Sequence, residues 1–492
     1  MTLWNRYQND ILSGITVAVV ALPLALAFGI ASGAGALAGL YATIFAGFVT
    51  SLFGGSEVQV SGPTGTMTVV LVAIIAKYGI EGMLLAGALA GLMQIVLGML
   101  RLGRFVKFLP QSVISGFTNG VAIIIFMSQI ETALQTPSVT LVTAAAILFA
   151  MFFAKKIPAS LFGLAVGIAA NQLFFHSPHL VGEIPATLPK LVLPLGQLQN
   201  IRGLVMPAIT ICFLGTIESL LSAEVADTMT GQTHNANREL IGQGLGNLTS
   251  ALVGGIPISG VMARTAVNVN SGGRTRLAGM VHSVVLLIVV FLFGRWAAHI
   301  PLASLAAILM VTAVRTVDWP GLKLVPQAGW SYGIPLFTTM VLTVFFDLTI
   351  AVAGGLAVAI LFLMIELARL PHITQHPQGL PEHPKVAVVS LEGPVFFLST
   401  EKLMKQVQSL AQGREILVLD CTNVPATDDT AILLLKKMAK RYQEEDRIVY
   451  VAGVKGDSLQ KLADLKVTEA LGDHYVCPHL DLALNRAYQD AS

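Results

Sequence analysis

Charge is scarce in this chain. Only 12% of its 492 residues are Asp, Glu, Lys or Arg, against roughly 25% in a soluble globular protein, so a water-soluble enzyme is a poor reading. Neither sign dominates: 30 basic and 28 acidic residues leave a net charge of +2. The basic residues are scattered rather than striped, which argues against nucleic acid as a partner. Cysteine is also rare. Cys212, Cys421 and Cys477 are too few and too dispersed for a disulfide framework, and none has metal-ligand spacing with His or another Cys. No metal or cofactor is expected. The apolar part lacks a nucleophile–base arrangement, a phosphate loop and paired hydrolase carboxylates, so no catalytic residue is assigned and no enzyme activity is expected.

What the chain has in quantity is hydrocarbon: 54% of residues are hydrophobic and the mean hydropathy is +0.74. The charges are unevenly shared. Residues 1–384 hold 17 basic and 13 acidic residues, and residues 385–492 hold 13 and 15, which together make up the 30 and 28 of the whole. The first part reads as membrane-embedded and the second as a domain in the cytosol. A helix needs about 20 apolar residues to cross the hydrocarbon layer. Fourteen segments are predicted, over residues 11–30, 36–53, 62–78, 82–100, 110–130, 138–154, 158–175, 203–223, 239–254, 261–271, 277–294, 299–314, 332–346 and 348–369. Ala31-Ser32-Gly33-Ala34 imitates a signal-peptidase site, but the next segment reads as a partner of the first, so no cleavage is expected.

Basic residues favour the cytoplasmic side of a membrane, and this tests the count. With the N-terminus inside, Arg6, Arg101, Arg104, Lys107, Lys155, Lys156, Arg238, Arg274, Arg276, Arg315, Lys323 and Arg369 fall inside. Lys77, Lys190, Arg202 and Arg295 fall outside. An even number of crossings follows, with both termini cytoplasmic in a plasma (inner) membrane. After Pro371 come Pro377, Pro381 and Pro384, read as a linker over 371–384. Beyond it, strands over 386–391, 416–420 and 448–452 alternate with amphipathic helices over 400–411, 429–444, 458–465 and 480–489, the pattern of an α/β domain over 385–492.

Two stretches interrupt the apolar pattern alike. Val58 to Thr66 and Gly255 to Arg264 each run from β-type residues through Ser-Gly into a short apolar helix, and Ser61 and Ser259 stand 259 − 61 = 198 positions apart. Seven segments precede residue 198 and seven follow it, so the second half crosses the membrane from the opposite side. Paired interruptions of this kind mark the midplane site of inverted-repeat transporters.

A half-helix that starts inside the membrane has unpaired N–H groups and partial positive charge at its start. Two such starts facing each other suit an anion, with the Thr64 and Thr66 hydroxyls as further donors and Gly65 allowing close approach. The alternative is a pair of ordinary kinks. Arg264, costly in the membrane, is expected either in the anion pocket or in an ion pair with Glu218, or else snorkelling. Glu218 is a candidate for exchanging a proton or holding a cation, the alternative being a neutral helix–helix hydrogen bond. Pro23 is expected to bend the first segment, either so that Ala25 or Phe28 lines the cavity or as an ordinary packed kink.

Pro23 to Phe28, Ser61-Gly62-Pro63-Thr64, Glu218-Ser219-Leu220-Leu221 with Ala226-Asp227, and Gly272 to Gly279 resemble the SulP family of anion transporters. Leu419 to Thr430 is similar to the signature of the STAS domain that ends many SulP chains. The resemblance implies an all-α polytopic membrane domain over 1–370, with 14 transmembrane segments in a 7+7 inverted repeat (about 1–198 and 199–370). A core domain of segments 1 to 4 and 8 to 11 would move against a gate of 5 to 7 and 12 to 14, in a homodimer, with a cytosolic α/β STAS domain.

Carried onto these residues, the anion lies between Thr64 and the Ala263-Arg264 pair with Leu24 and Phe28 nearby, and Glu218 takes the acidic position linked to cation coupling. Leu24 replaces a Gln of several relatives and Ala263 a Ser of some, which shifts binding toward backbone N–H groups and Arg264. Glu218 replaces the Asp of sodium-coupled carriers, which favours a proton. Asp429-Thr430 stands where regulatory relatives carry two serines, so a phospho-switch is doubtful and Asp428 or Asp429 is read as a helix cap. The expectation is secondary transport of a small anion (dicarboxylate, bicarbonate or sulfate) with H+, the lipid bilayer as surroundings and a possible cytosolic partner for the STAS domain. The alternatives are an uncoupled anion channel and a nucleobase permease on the same fold.

Overall fold

Backbone polar groups in hydrocarbon must be satisfied within the protein, so a chain this apolar is confined to helices wherever it meets lipid. The computed structural model describes residues 3–103, 110–153, 158–182, 187–346, 348–375 and 383–492. Arg104, Lys107, Lys155, Lys156, Asp347, Pro377 and Pro381 lie outside the described residues, as do linker positions 376–382. The chain separates into two compact units, Met1–Leu356 and Ala357–Ser492.

The first half of the helical unit holds α1 (Leu3–Ala31), α2 (Ala36–Tyr41), a π turn, α3 (Gly47–Phe53), a two-residue strand β1 (Ser61–Gly62), α4 (Gly65–Met99), α5 (Gln111–Ser128), α6 (Ile130–Gln135), α7 (Pro137–Phe153) and α8 (Ala159–Ala170). The second holds α9 (Ile201–Thr230), α10 (Ala236–Leu252), β2 (Ser259–Gly260), α11 (Met262–Asn270), α12 (Arg276–Phe293), α13 (Leu302–Thr316), α14 (Trp319–Ala328), α15 (Trp330–Phe345) and the start of α16 (Leu348–Arg369), which continues into the second unit from Ala357. The halves start 201 − 3 = 198 residues apart. Their packing is exchanged as a pseudo-two-fold axis requires: α1 lies on α12 while α9 lies on α4, and α5 lies on α15 while α13 lies on α7.

Among the described residues, seven helices are long and apolar enough to cross a membrane, and four shorter apolar helices accompany them. The predicted segments over 62–78 and 82–100 are one element, α4, broken at Gly79, whose φ of 70° only glycine adopts freely. The stretch between the predicted segments over 299–314 and 332–346 is no plain loop. It forms α14, begun by Asp318, whose carboxylate accepts from Gly321 N at 3.1 Å. Its Pro320 stands in the first helical turn, where proline is tolerated. Close crossing of α1 and α2 depends on absent side chains: a Cβ on Gly39 would stand 2.0 Å from the Ala25 carbonyl oxygen.

The second unit contains a five-stranded sheet in the order β3 (His372–Gln375), β4 (Val386–Glu392), β5 (Ile416–Asn423), β6 (Ile448–Ala452), β7 (Val476–Cys477). Strands β4 to β7 are parallel and β3 is antiparallel to β4. Helices α17 (Phe397–Leu410), α18 (Asp429–Glu444), α19 (Asp457–Asp464), α20 (Val467–Leu471) and α21 (Leu480–Asp490) cover it. Alternate residues serve opposite faces. Val389, Leu417 and Val449 pack with Val407 and Leu435, whereas Val388, Val418 and Tyr450 pack with Ala483 and Leu484 of α21.

Strand β3 falls inside the stretch read as linker. The prolines that suggested a linker flank residues 372–375 rather than interrupt them, so nothing prevents pairing with β4. Of the two candidate caps, Asp428 begins α18, accepting from Ala431 N at 2.9 Å, while its other oxygen accepts from Phe397 N at 2.9 Å.

Candidate functional site

The two interruptions meet. Ser61 pairs with Gly260 and Gly62 with Ser259 in an antiparallel crossing of β1 and β2, after which α4 and α11 begin. Extended backbone deep in an apolar protein leaves peptide groups without helical partners, and polar side chains of neighbouring helices supply them. Ser219 Oγ accepts from Gly260 N at 2.9 Å, Asn247 Oδ1 from Ile258 N at 2.7 Å, and Thr265 Oγ1 from Val60 N at 3.1 Å. Asn268 Nδ2 donates to the Val58 carbonyl at 2.7 Å. At nine residues, α11 covers about 14 Å, roughly half the hydrocarbon thickness.

Glu218, half-buried on α9, gathers hydroxyls from the starts of both half-helices. Thr64 Oγ1 donates to Oε2 at 2.9 Å, Ser259 Oγ donates to the same oxygen at 2.5 Å, and Thr66 Oγ1 donates to Oε1. Thr64 is also the N-cap of α4, accepting from Met67 N at 3.3 Å. The hydroxyl protons expected to face an anion are therefore held by the protein's own carboxylate. Beside it opens a cleft of about 600 Å³. Thr66, Glu218 and Met262 line it together with Val113, Phe117, Thr316 and Val352.

The remaining expected site residues take different places. Leu24 is half-buried, and Phe28 is buried with its ring beside Gly65. Ala263 is exposed, but among the expected residues only Thr66 and Glu218 line the cleft. Arg264 is 0% exposed and makes no ion pair with Glu218, and its three guanidinium nitrogens have no hydrogen-bond partner among the described residues. It lies against the crossing so closely that a Cβ on Gly62 would stand 2.1 Å from Nη1. Ser259 was not among the expected site residues, although its place 198 residues after Ser61 was the signal that could have found it.

Two family profiles match: the sulfate permease family over residues 7–148 and 138–329, and the STAS domain over 379–483. The chain belongs to the sulfate permease family. It is thus a multi-pass membrane protein and an anion transporter, not an enzyme, which sets the nucleobase alternative aside. YvdB of Bacillus subtilis, whose name proposes a sulfate cargo, is 35% identical across 97% of each chain. The solved transmembrane domain of a cyanobacterial bicarbonate transporter, BicA, is 36% identical, with a TM-score of 0.67 over 73% of this chain and 98% of that one. The murine anion transporter Slc26a9 superposes over 99% of this chain and 92% of its own length with a TM-score of 0.87. At 17% identity, that likeness concerns the fold alone.

Proposed function

We propose that this protein carries a small anion of the bicarbonate, sulfate or dicarboxylate class together with a proton, by alternating access. It would have fourteen crossings in core and gate domains, cytoplasmic termini, a place in the plasma (inner) membrane and a homodimeric assembly. One observation carries the coupling: a single carboxylate, Glu218, accepts hydroxyls from the starts of both half-helices. Ionised, it is a tethered anion occupying the donors a cargo anion needs, and like charges so close exclude each other. Protonation cancels that charge and lets the Thr64, Thr66 and Ser259 hydroxyls turn toward the cargo.

The starts of α4 and α11 and the buried charge of Arg264 add attraction, and Arg264 has no carboxylate to neutralise it among the described residues. Cargo and proton then bind as a pair whose charges partly cancel, which lowers the cost of moving the loaded site through a low-dielectric layer. The named cargoes of YvdB and BicA support the inorganic members of the class. Purified protein in liposomes, tested by counterflow against bicarbonate, sulfate, oxalate and succinate, will identify the cargo. An inward proton gradient is expected to drive accumulation above the equilibrium level. Equal accumulation with the gradient collapsed would remove the coupling.

A further inference from the structure

A second charged feature lies in the other unit. The end of α16, strand β3 and helix α17 enclose a groove of about 1090 Å³. Its polar lining includes Arg369, His372, Gln375, Ser399, Lys402 and Gln406, with no carboxylate among the lining residues. The nearby acids are otherwise placed. Glu392 pairs with His372 at 3.0 Å and Glu401 pairs with Lys405 at 2.7 Å, and exposed Glu366 lies a turn before Arg369 outside the groove. Arg369 and Lys402 have no acidic partner among the described residues.

The depth of this groove follows from α16. Ile360, Leu361, Leu363 and Ile365 project exposed hydrocarbon from a helix that is apolar enough to span, and Arg369 closes that helix one turn after Ile365, with exposed Leu370 just beyond it. Arginine at such a boundary lies at the level of lipid headgroups. A cation pair there, one member on the spanning helix and one on a helix of the STAS domain, matches a phosphate. We propose that the groove holds the phosphate of an anionic phospholipid, tying the STAS domain to the membrane surface through Arg369 and Lys402.

The test uses the full chain in vesicles of phosphatidylcholine with or without phosphatidylglycerol. Retained phosphatidylglycerol is measured by native mass spectrometry, and thermal unfolding is followed in parallel. Each basic group near an anionic surface contributes enough that removing both in Arg369→Gln/Lys402→Gln should weaken retention about 30-fold. A control with the same charge change on the exposed face of α18, Lys437→Gln/Lys440→Gln, should retain the lipid as the unaltered chain does. Phosphatidylglycerol should raise the unfolding midpoint of the unaltered chain and the control but not of the double variant. Equal retention by all three proteins would overturn the proposal. So would an equal midpoint shift from millimolar inorganic phosphate alone, which would assign the groove to a soluble anion.

Discussion

Replacing Glu218 by Gln keeps the shape of the side chain and removes its charge. If the carboxylate and the cargo compete for the same hydroxyls, the two acceptors stand about 5 Å apart, each at ordinary hydrogen-bond distance from a shared donor. At an effective dielectric constant of about 20, two unit charges at that separation repel by about 3 kcal/mol. This is roughly two decades in affinity. The variant should therefore bind cargo about a hundred-fold more tightly than the unaltered protein under alkaline conditions, where that protein carries the repelling charge.

Its affinity should also be flat with pH, whereas the unaltered protein should bind more tightly as pH falls and the carboxylate takes up a proton. Binding titrations across mildly acidic to alkaline pH measure both effects, and proteoliposome uptake measures the third: proton-driven accumulation disappears in Glu218→Gln and partly returns in Glu218→Asp. Two results would refute the reasoning. One is an affinity of the unaltered protein that does not change with pH; the other is undiminished gradient-driven accumulation by the Gln variant. Either would mean that Glu218 is a structural hydrogen-bond acceptor joining α9 to the crossing.

Three further outcomes test the packing. Gly39→Ala drives a methyl into the Ala25 carbonyl and the Gly29 backbone, none of which can rotate away, so the α1–α2 contact should loosen by about 1–3 kcal/mol. A thermal midpoint equal to that of the unaltered chain would contradict the close crossing. Asp10, fully buried, accepts from Arg274 N at 2.7 Å, Thr275 N at 3.1 Å and Thr275 Oγ1 at 2.6 Å at the start of α12. Asp10→Ala should cost about 1–2 kcal/mol, and Asp10→Asn, which keeps one acceptor, less; equal midpoints for both variants would argue against capping.

Burial, and then the charge of Asp420, push the Cys421 thiol up from its ordinary 9.0 to about 12. At mildly alkaline pH its thiolate fraction is on the order of one part in ten thousand, so maleimide should label it only after unfolding. Because the folded value is raised, this group's contribution to stability is full below pH 9 and falls as pH rises toward 12. Rapid labelling of the native protein at Cys421 would contradict its burial.

Much of this arrangement is legible in the residues because repetition is arithmetic. Ser61 and Ser259, 198 positions apart, name both interruptions, and a chain that inverts after seven segments brings them together as opposed strands. The composition break near residue 384 likewise announces an α/β domain, since alternating apolar residues such as Val386 to Leu391 have few other uses outside a membrane. Pairing of β3 was hidden because four residues carry too little pattern to outweigh flanking prolines.

The site is only half legible for a different reason. Residues at the head of a helix turn by about 100° each, so Met262, Ala263 and Arg264 point three ways from one short start. Met262 reaches the cleft, whereas Arg264 is sealed beside Gly62. Spacing identifies which segment bears a cation but not which wall receives it, because that depends on an empty Cβ position 202 residues earlier in the chain (264 − 62 = 202). Glu218 was legible as an expensive acid yet not as the holder of both threonines, since helix α9 reaches them only after both halves have folded together. Residues whose roles are fixed by the partner repeat are therefore the ones sequence periodicity leaves open, and they are the ones on which the proposed coupling rests.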